Sequence, residues 1–92
     1  MEIKKMYIDG EWTEGTSGKL IDSINPATGE VIAQVYESSL EDTNRAIAAA
    51  KKSFYVTREW RDMDSQQRGD ILLKIADTIE KYLPELAKLD AI

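Results

Sequence analysis

Residues 64–83 read DSQQRGDILLKIADTIEKYL and carry the clearest structural pattern in this chain. Apolar side chains in this stretch recur at i, i+3, i+4 and i+7, the spacing that places them on one face of a helix. The members of this apolar face are Ile71, Leu72, Ile75, Ala76, Ile79 and Leu83. The remaining positions are largely polar and carry both signs of charge. The pattern therefore predicts an amphipathic helix whose apolar face packs against a core.

The ends of this helix are marked by capping residues and by a proline. Asp64 is followed three residues later by Gln67, and in this arrangement each side chain can bond to the free backbone N–H of the other residue. Pro84 cannot occupy a helix interior, which predicts that the helix ends by about Tyr82. Because proline is tolerated in a first helical turn, a further turn is expected over residues 85–89.

Another helix is predicted upstream, from Leu40 to Phe54 or Tyr55. Ser39 is followed three residues later by Asp42, which repeats the start signal, and the acid also complements the positive end of the helix dipole. One face of this helix is apolar and holds Leu40, Ile47, Ala50 and Phe54. The second part of the chain is therefore predicted to be helical.

The first part of the chain shows strand-like alternation and turn residues instead. Residues 6–8 and 11–12 flank Asp9-Gly10, a dipeptide that suits a two-residue hairpin turn with positive φ. The glycines and hydroxyl side chains of residues 14–18 favour a loop. A short β-hairpin followed by a loop is predicted here.

A second hairpin is predicted directly after that loop. Two β-branched stretches, residues 19–24 and 31–36, are separated by residues 25–30. Within this separating segment Pro26 removes a backbone donor and Gly29 can adopt a positive φ, so the segment should reverse the chain.

Together these patterns predict an α+β fold class. Residues 1–37 should form β-hairpins and loops, and residues 38–92 should form two amphipathic helices and the start of a third. An isolated two-stranded hairpin is marginal in water, so the hairpins need a further layer to lean on. The hairpins alone are also expected to leave apolar surface on both helices uncovered.

Composition excludes several classes of function. The 92 residues hold 12 Lys and Arg against 17 Asp and Glu, a formal net charge of −5, which argues against binding to a nucleic-acid backbone. Histidine and cysteine are absent, which removes disulfides, thiolate chemistry, imidazole catalysis and the common zinc sites. No apolar run is long enough for a membrane span and no signal-peptide pattern opens the chain. A cytoplasmic protein that contacts neither membrane nor nucleic acid is expected.

Carboxylates and cations cluster around Trp60, between the two helices. Glu59 and Asp62 lie beside Arg58 and Arg61. Catalysis by paired carboxylates needs a pocket that holds them about 5–10 Å apart, and no motif marks such a pocket. We interpret this segment as a solvated connection anchored by a buried Trp60. The residues alone predict no catalytic site and no glycine-rich phosphate site.

Four motifs nevertheless occur in a distinctive order. They are YIDGEW at 7–12, INPATGEVIA at 24–33, AIAAA at 46–50 before Phe54, and WR at 60–61 with QRGDIL at 67–72. In this order and spacing, the chain resembles the amino-terminal segment of NAD(P)-dependent aldehyde dehydrogenases. The similarity runs from about Met6 to Ile92.

The resemblance implies a parent oxidoreductase that converts an aldehyde to a carboxylate through a cysteine thiohemiacetal, with NAD or NADP as hydride acceptor. It implies that residues 1–92 are an incomplete amino-terminal portion of a Rossmann-like α/β cofactor-binding domain in an oligomeric enzyme. The family's catalytic cysteine and glutamate and its cofactor-binding motifs belong to later parts of its chain. The resemblance therefore implies no catalytic residue, no cofactor-binding residue and no bound cofactor in this segment, which should be inactive by itself. The residues that select the aldehyde, or NAD against NADP, also lie outside it.

One candidate metal ligand follows from the resemblance. Family members with an internal monovalent cation often use the backbone carbonyl at the position of Ile24, together with an acid just beyond Ile92 and a later carbonyl. Ile24 is thus one of three protein ligands. A single carbonyl does not hold a potassium ion against water, so the site is expected to be incomplete.

Two functional hypotheses follow. The first is a fragment of an aldehyde dehydrogenase that is catalytically silent alone. The alternative is a stand-alone α+β interaction module without enzymatic activity. The apolar helix faces also predict that the isolated chain self-associates or folds poorly, because large exposed apolar patches are unusual on soluble monomers.

Overall fold

The computed structural model describes residues 2–91 and shows short strands followed by helices, which confirms the α+β class. The strands are β1 (Glu2–Lys4), β2 (Met6–Ile8), β3 (Glu11–Thr13), β4 (Leu20–Ile24) and β5 (Val31–Tyr36). The helices are α1 (Leu40–Lys52), a π-helical segment (Ser53–Thr57), α2 (Ser65–Lys81) and α3 (Leu83–Ala91). Strands thus end at Tyr36, and helices begin at Leu40.

The first predicted hairpin is present as β2 and β3. The two strands pair antiparallel, with Tyr7 opposite Trp12, and the rings of these residues meet edge to face at 4.9 Å between centroids. Asp9 and Gly10 have φ of 52° and 78°. Positive φ at both central residues is the condition for the tight turn that matches strand twist, and it explains the Asp-Gly dipeptide.

The second predicted hairpin is present as β4 and β5. These strands pair antiparallel from Leu20 opposite Tyr36 to Ile24 opposite Val31, with a register shift between Ser23 and Ile24. The connecting turn is closed where the backbone N–H of Gly29 donates to the carbonyl of Asn25 at 2.7 Å. Gly29 has a φ of 75°, so the glycine serves the reversal as expected.

Strand β1 was not predicted. It pairs parallel to β5, with Ile3 opposite Gln34, and gives a three-stranded sheet in the order β1-β5-β4. Three residues are too short to show a periodic pattern, and the partner strand lies about thirty residues later in the chain. No local signal in the sequence therefore points to this pairing.

Helix α1 begins where the sequence predicts but ends differently. Ser39 and Asp42 form a reciprocal capping box at its start. The α-helix ends at Lys52, and residues through Thr57 continue with wider π-helical spacing. Arg58 follows with a φ of 58°, a left-handed conformation that no helix of L-residues continues through.

Helices α2 and α3 begin and end close to the predicted residues. Asp64 and Gln67 form the expected capping box, and α2 ends at Lys81. Pro84 is the second residue of α3, where its missing N–H has no helical acceptor to lose. Helix α3 extends through Ala91 and is longer than the single predicted turn.

The chain forms two compact units, the first ending at Thr57 and the second beginning at Arg58. Within residues 2–91 the buried side chains are those of Ile8 and Asp42. The expected apolar faces are exposed on α1, at Leu40 and Ile47, and on α2, at Leu72, Ile75 and Ile79. Leu83, which was expected on the same face as the α2 residues, is the first residue of α3 and is also exposed. Trp60, which we expected to be buried, is 43% exposed. None of the described helices has the length and hydropathy of a membrane span.

Candidate functional site

Ile24, the metal ligand expected from the resemblance, is the last residue of β4. It pairs with Val31 just after the register shift at Ser23, and its side chain is 55% exposed. Beyond it, the backbone N–H of Asn25 donates to the carbonyl of Glu30 at 2.8 Å. The structure thus places Ile24 where a regular strand gives way to a turn. Its role as a ligand stays a prediction.

The acidic side chains of residues 2–91 do not gather into a site for a cation. A site for a hard cation is built from several oxygen ligands. Within residues 2–91, no three His, Cys, Asp or Glu side chains are grouped closely enough to hold a metal ion. The side-chain oxygen of Asn25, the next residue, accepts a bond from the backbone N–H of Ala27 at 2.9 Å.

The densest polar arrangement surrounds the carboxylate of Asp42, which has no exposed surface. Its Oδ2 accepts the backbone N–H groups of Thr16 and Ser39, each at 3.0 Å. Its Oδ1 accepts the hydroxyl of Thr16 at 3.1 Å. We call the set Thr16, Ser39 and Asp42 the loop clasp, since it joins residues 14–18 to the start of α1.

The hydroxyl protons of the loop clasp have a single consistent arrangement. The Ser39 hydroxyl accepts the backbone N–H of Asp42 at 3.0 Å. The Oγ atoms of Thr16 and Ser39 lie 2.6 Å apart. Because the Thr16 hydroxyl donates to Asp42, the Ser39 hydroxyl must donate to Thr16. The two backbone N–H groups and the Thr16 hydroxyl thus donate directly to the Asp42 carboxylate, and the Ser39 hydroxyl is linked to it through Thr16.

The loop clasp lowers the pKa of Asp42 from 3.8 to about 2. The largest causes are the backbone hydrogen bonds from Ser39 and Thr16, and burial opposes them. A charged carboxylate is favoured when several donors point at it. Asp42 is thus ionised at neutral pH and a poor proton acceptor, so the clasp supports structure and not acid–base chemistry.

Other loop residues attach to the end of β5. The Ser17 hydroxyl donates to the carbonyl of Glu37 at 2.6 Å, and the backbone N–H of Glu37 donates to the carbonyl of Lys19 at 2.9 Å. The pKa of Tyr36 is raised, first by partial burial and then by the neighbouring Glu14 carboxylate. The loop of residues 14–18 is therefore bonded both to the residue that follows β5, through Ser17, and to the start of α1, through Thr16.

Glycine is required at position 15 because the clasp closes around it. Gly15 has a φ of 75°, and a Cβ built on it would overlap the side chains of Met6 and Asp42. Gly18 has a φ of 70° but open space around it. Only Gly15 therefore meets both a conformational and a steric requirement.

The start of α1 does not fit a dinucleotide phosphate. A phosphate binds at a helix amino terminus through free N–H groups and the positive end of the dipole. Here Ser39 accepts the N–H of Asp42, and the Asp42 carboxylate already supplies the negative charge. At α2 the backbone N–H of Gln67 likewise donates to Asp64 at 2.8 Å.

The charged cluster near Trp60 forms a surface ion pair. Arg58 and Asp62 approach to 3.1 Å between Nη2 and Oδ1, with both side chains about half exposed. The guanidinium of Arg68 donates to the carbonyl of Met63 at 3.0 Å. These contacts organise the segment before α2.

Sequence reasoning identified part of the loop clasp and missed the rest. The pairing of Ser39 with Asp42 follows from their three-residue spacing. Thr16 contacts Asp42 across 26 positions of sequence, and no periodicity carries that information. A glycine followed by a hydroxyl residue was the available signal, but it indicates only a loop.

Comparison with known proteins now assigns the class. The family model described as "Aldehyde dehydrogenase family" matches residues 12–92. "Aldehyde dehydrogenase, cytosolic 1" of Elephantulus edwardii is 42% identical over 88 residues, which cover 96% of this chain and 18% of that protein. "Aldehyde dehydrogenase, mitochondrial" of Mesocricetus auratus is 41% identical over 88 residues, with the same coverage of both chains. "Aldehyde dehydrogenase 1A1" of Homo sapiens is 38% identical over 92 residues, all of this chain and 18% of that protein.

All three of these relatives are named as aldehyde dehydrogenases. The chain belongs to the aldehyde dehydrogenase family and resembles its amino-terminal segment. It spans 18% of the length of the curated relatives it matches. The comparisons give no better support to a stand-alone interaction module.

Proposed function

We propose that this chain supplies the amino-terminal portion of an NAD(P)-dependent aldehyde dehydrogenase and is catalytically silent alone. Residues 1–92 would contribute to the cofactor-binding domain, with the strands of residues 1–37 and the helices of residues 38–92 packing against its remainder. The family match over residues 12–92 carries the proposal. The exposed apolar faces of α1 and α2 support it, since such faces need cover.

The role of these residues in the reaction is then architectural. Bound NAD or NADP supplies the hydride acceptor when an aldehyde becomes a carboxylate. The loop clasp fixes residues 14–18 against α1 through one ionised carboxylate. The two capping boxes fix where α1 and α2 begin. This segment thereby holds its helices in place while the reacting groups come from other parts of the enzyme.

The carbonyl of Ile24 is proposed as one ligand of a monovalent cation. Its position at the end of β4, next to a register shift, supports this role because backbone carbonyls leave the regular ladder at such points. The remaining ligands would come from outside the described residues. Potassium titration of a complete enzyme carrying this segment, followed by thermal unfolding, tests the assignment against sodium as a control.

Self-association and a cytoplasmic location are also proposed for the chain. Apolar side chains such as Ile47 and Ile75, each about half exposed, support self-association through the helix faces.

The match to a relative named as cytosolic supports the cytoplasmic location. The match to a relative named as mitochondrial makes a mitochondrial location the competing result. Imaging of a fluorescent fusion with organelle markers distinguishes the two.

A segment exchange tests the central proposal. The matched segment of human aldehyde dehydrogenase 1A1 would be replaced by this chain, since the alignment covers all 92 residues. We expect the chimera to reduce NAD or NADP with an aliphatic aldehyde, and the 92-residue chain to show no turnover. The same enzyme lacking the segment is the control.

Two results would contradict the proposal. Aldehyde-dependent cofactor reduction by the purified chain would show that it is not silent. A chimera that is soluble and melts cooperatively, yet neither binds cofactor nor oxidises aldehyde, would show that the segment does not serve this role.

A further inference from the structure

The free edge of β1 is available for pairing with another strand. In the sheet order β1-β5-β4, β1 has β5 on one side and no strand partner among residues 2–91 on the other. Such an edge presents unpaired backbone N–H and C=O groups. All three residues of β1 are exposed, so a second chain can reach them.

The sequence of β1 is complementary to itself. If two copies pair antiparallel about Ile3, each Glu2 lies opposite Lys4 of the other copy. Glu2 and Lys4 already approach to 2.8 Å within one chain while remaining 69% and 53% exposed. Opposite charges across a strand pair stabilise it and like charges destabilise it. Lysine on an edge strand discourages pairing with most other strands. A second copy of β1 is an exception, because its Glu2 lies opposite this lysine and neutralises the charge.

The other edge of the same sheet is protected against this pairing. An antiparallel pair of β4 strands about their middle would set Asp22 against Asp22 of the second copy, which like charge opposes. The register shift between Ser23 and Ile24 also interrupts that edge, and such irregularities terminate pairing. Of the two edges of this sheet, β1 is therefore the one that is compatible with pairing to a second copy.

Two exposed apolar side chains accompany the β1 edge. Ile3 is 44% exposed and Trp12 is 69% exposed. Both line a surface depression of about 500 Å³ together with the charged residues Glu2, Lys4 and Lys5. In the antiparallel pair, Ile3 of one copy faces Ile3 of the other on this side, so apolar contact is added to the backbone bonds.

We propose that β1 is a self-pairing edge through which two copies of this chain associate antiparallel about Ile3. The interface is isologous, with the same residues contributed by both copies. It is distinct from association through the helix faces and does not rest on the proposed enzymatic role. Because it rests on one three-residue strand, association is weak and is best captured covalently.

Site-specific cross-linking tests the register. The chain has no cysteine, so Ile3→Cys introduces a single thiol. Opposite Cα atoms in an antiparallel pair lie about 4.5–5.5 Å apart, within the range of about 4.4–6.8 Å that a disulfide spans. With oxidised glutathione as oxidant, Ile3→Cys should dimerise faster than Ile21→Cys, a control thiol on β4 at a residue of similar exposure.

Charge reversal then tests the complementarity in the Ile3→Cys background. Glu2→Lys and Lys4→Glu should each lower the dimerisation rate about tenfold, since two attractive pairs become repulsive. The double exchange should restore the rate, and a mixture of the two single variants should give mainly mixed dimers. Glu2→Lys makes the net charge of −5 less negative, so a slower rate for that variant cannot come from general repulsion.

Each outcome bears on the proposal. Restoration by the double exchange and preference for mixed dimers support antiparallel pairing of β1. Equal rates for all charge variants, or an Ile3→Cys rate no higher than that of Ile21→Cys, would overturn it. Dimers that depend on helix-face residues and ignore these charges would overturn it in the same way.

Discussion

At the scale of single residues, Asp42 gives the chain a defined response to acid. Its pKa in the folded chain is about 2, below its usual 3.8. A group with a lowered folded pKa stabilises the fold fully above its unfolded pKa, and this contribution is lost as pH falls through the folded pKa. The loop clasp should therefore be intact above about pH 4 and open progressively toward pH 2.

Amide chemical shifts measured by NMR test this response. The N–H groups of Thr16 and Ser39, which both donate to Asp42, should titrate together with a midpoint near 2. Asp42→Asn removes the titrating group and should abolish the transition in both amides. A midpoint at or above 3.8 would contradict the assignment.

The two loop glycines allow steric and conformational costs to be separated. Gly18→Ala should lower the free energy of unfolding by about 1–2 kcal/mol, the cost of a left-handed conformation for a residue with a Cβ. Gly15→Ala should cost more, because its Cβ would also overlap Met6 and Asp42. Chemical denaturation of both variants beside the parent chain measures the difference. Equal losses would show that the contacts around Gly15 relax freely.

At the scale of elements, Gly69 weakens α2 without serving a turn. It lies inside the helix, and a Cβ added there meets no atom within 4 Å. Gly69→Ala should therefore stabilise the helix by about 1 kcal/mol through propensity alone. Circular dichroism at 222 nm during thermal unfolding measures the change. Gly10→Ala is the opposite control, since Gly10 has a φ of 78° in open space and should lose stability.

The elements show what sequence can and cannot predict. Hairpin turns and helix starts depend on neighbouring residues, and the turn at Asp9-Gly10 and the capping boxes of α1 and α2 were predicted correctly. Strand β1 and the contact of Thr16 with Asp42 depend on residues far apart in sequence, and both were missed. The π-helical end of α1 was missed for a related reason, because hydrogen-bond spacing within a helix leaves no mark in apolar periodicity.

At the scale of the whole molecule, uncovered apolar surface dominates the expected behaviour. Ile75 lies on the apolar face of α2 and is 49% exposed. Ile75→Glu should reduce the average mass measured by light scattering, because a charge on that face opposes apolar association. Gln66→Glu adds the same charge on the same helix, at an exposed residue on the opposite side from that face, and is the matched control. An equal effect of both variants would attribute the change to net charge alone.

The position of the candidate metal ligand was predicted only through family resemblance. Nothing in the local sequence distinguishes Ile24 from other strand residues, and its other expected ligands lie beyond this segment. The buried carboxylate of Asp42 shows the opposite case. Its capping box with Ser39 could be predicted from their three-residue spacing. Its burial and its bonds to Thr16 become visible only in the folded chain.

The parallel pairing of β1 with β5 has a consequence for the order of synthesis. A ribosome adds β1 before β5, and the residue that pairs with Ile3 is Gln34. At about 5–20 residues per second, the intervening chain takes a few seconds to make. During that time the β2–β3 hairpin can form from neighbouring residues, while the backbone groups of β1 that pair with β5 remain unpaired. Nascent chains of this protein therefore carry an unpaired β1 until β5, the middle strand of the sheet, has been translated.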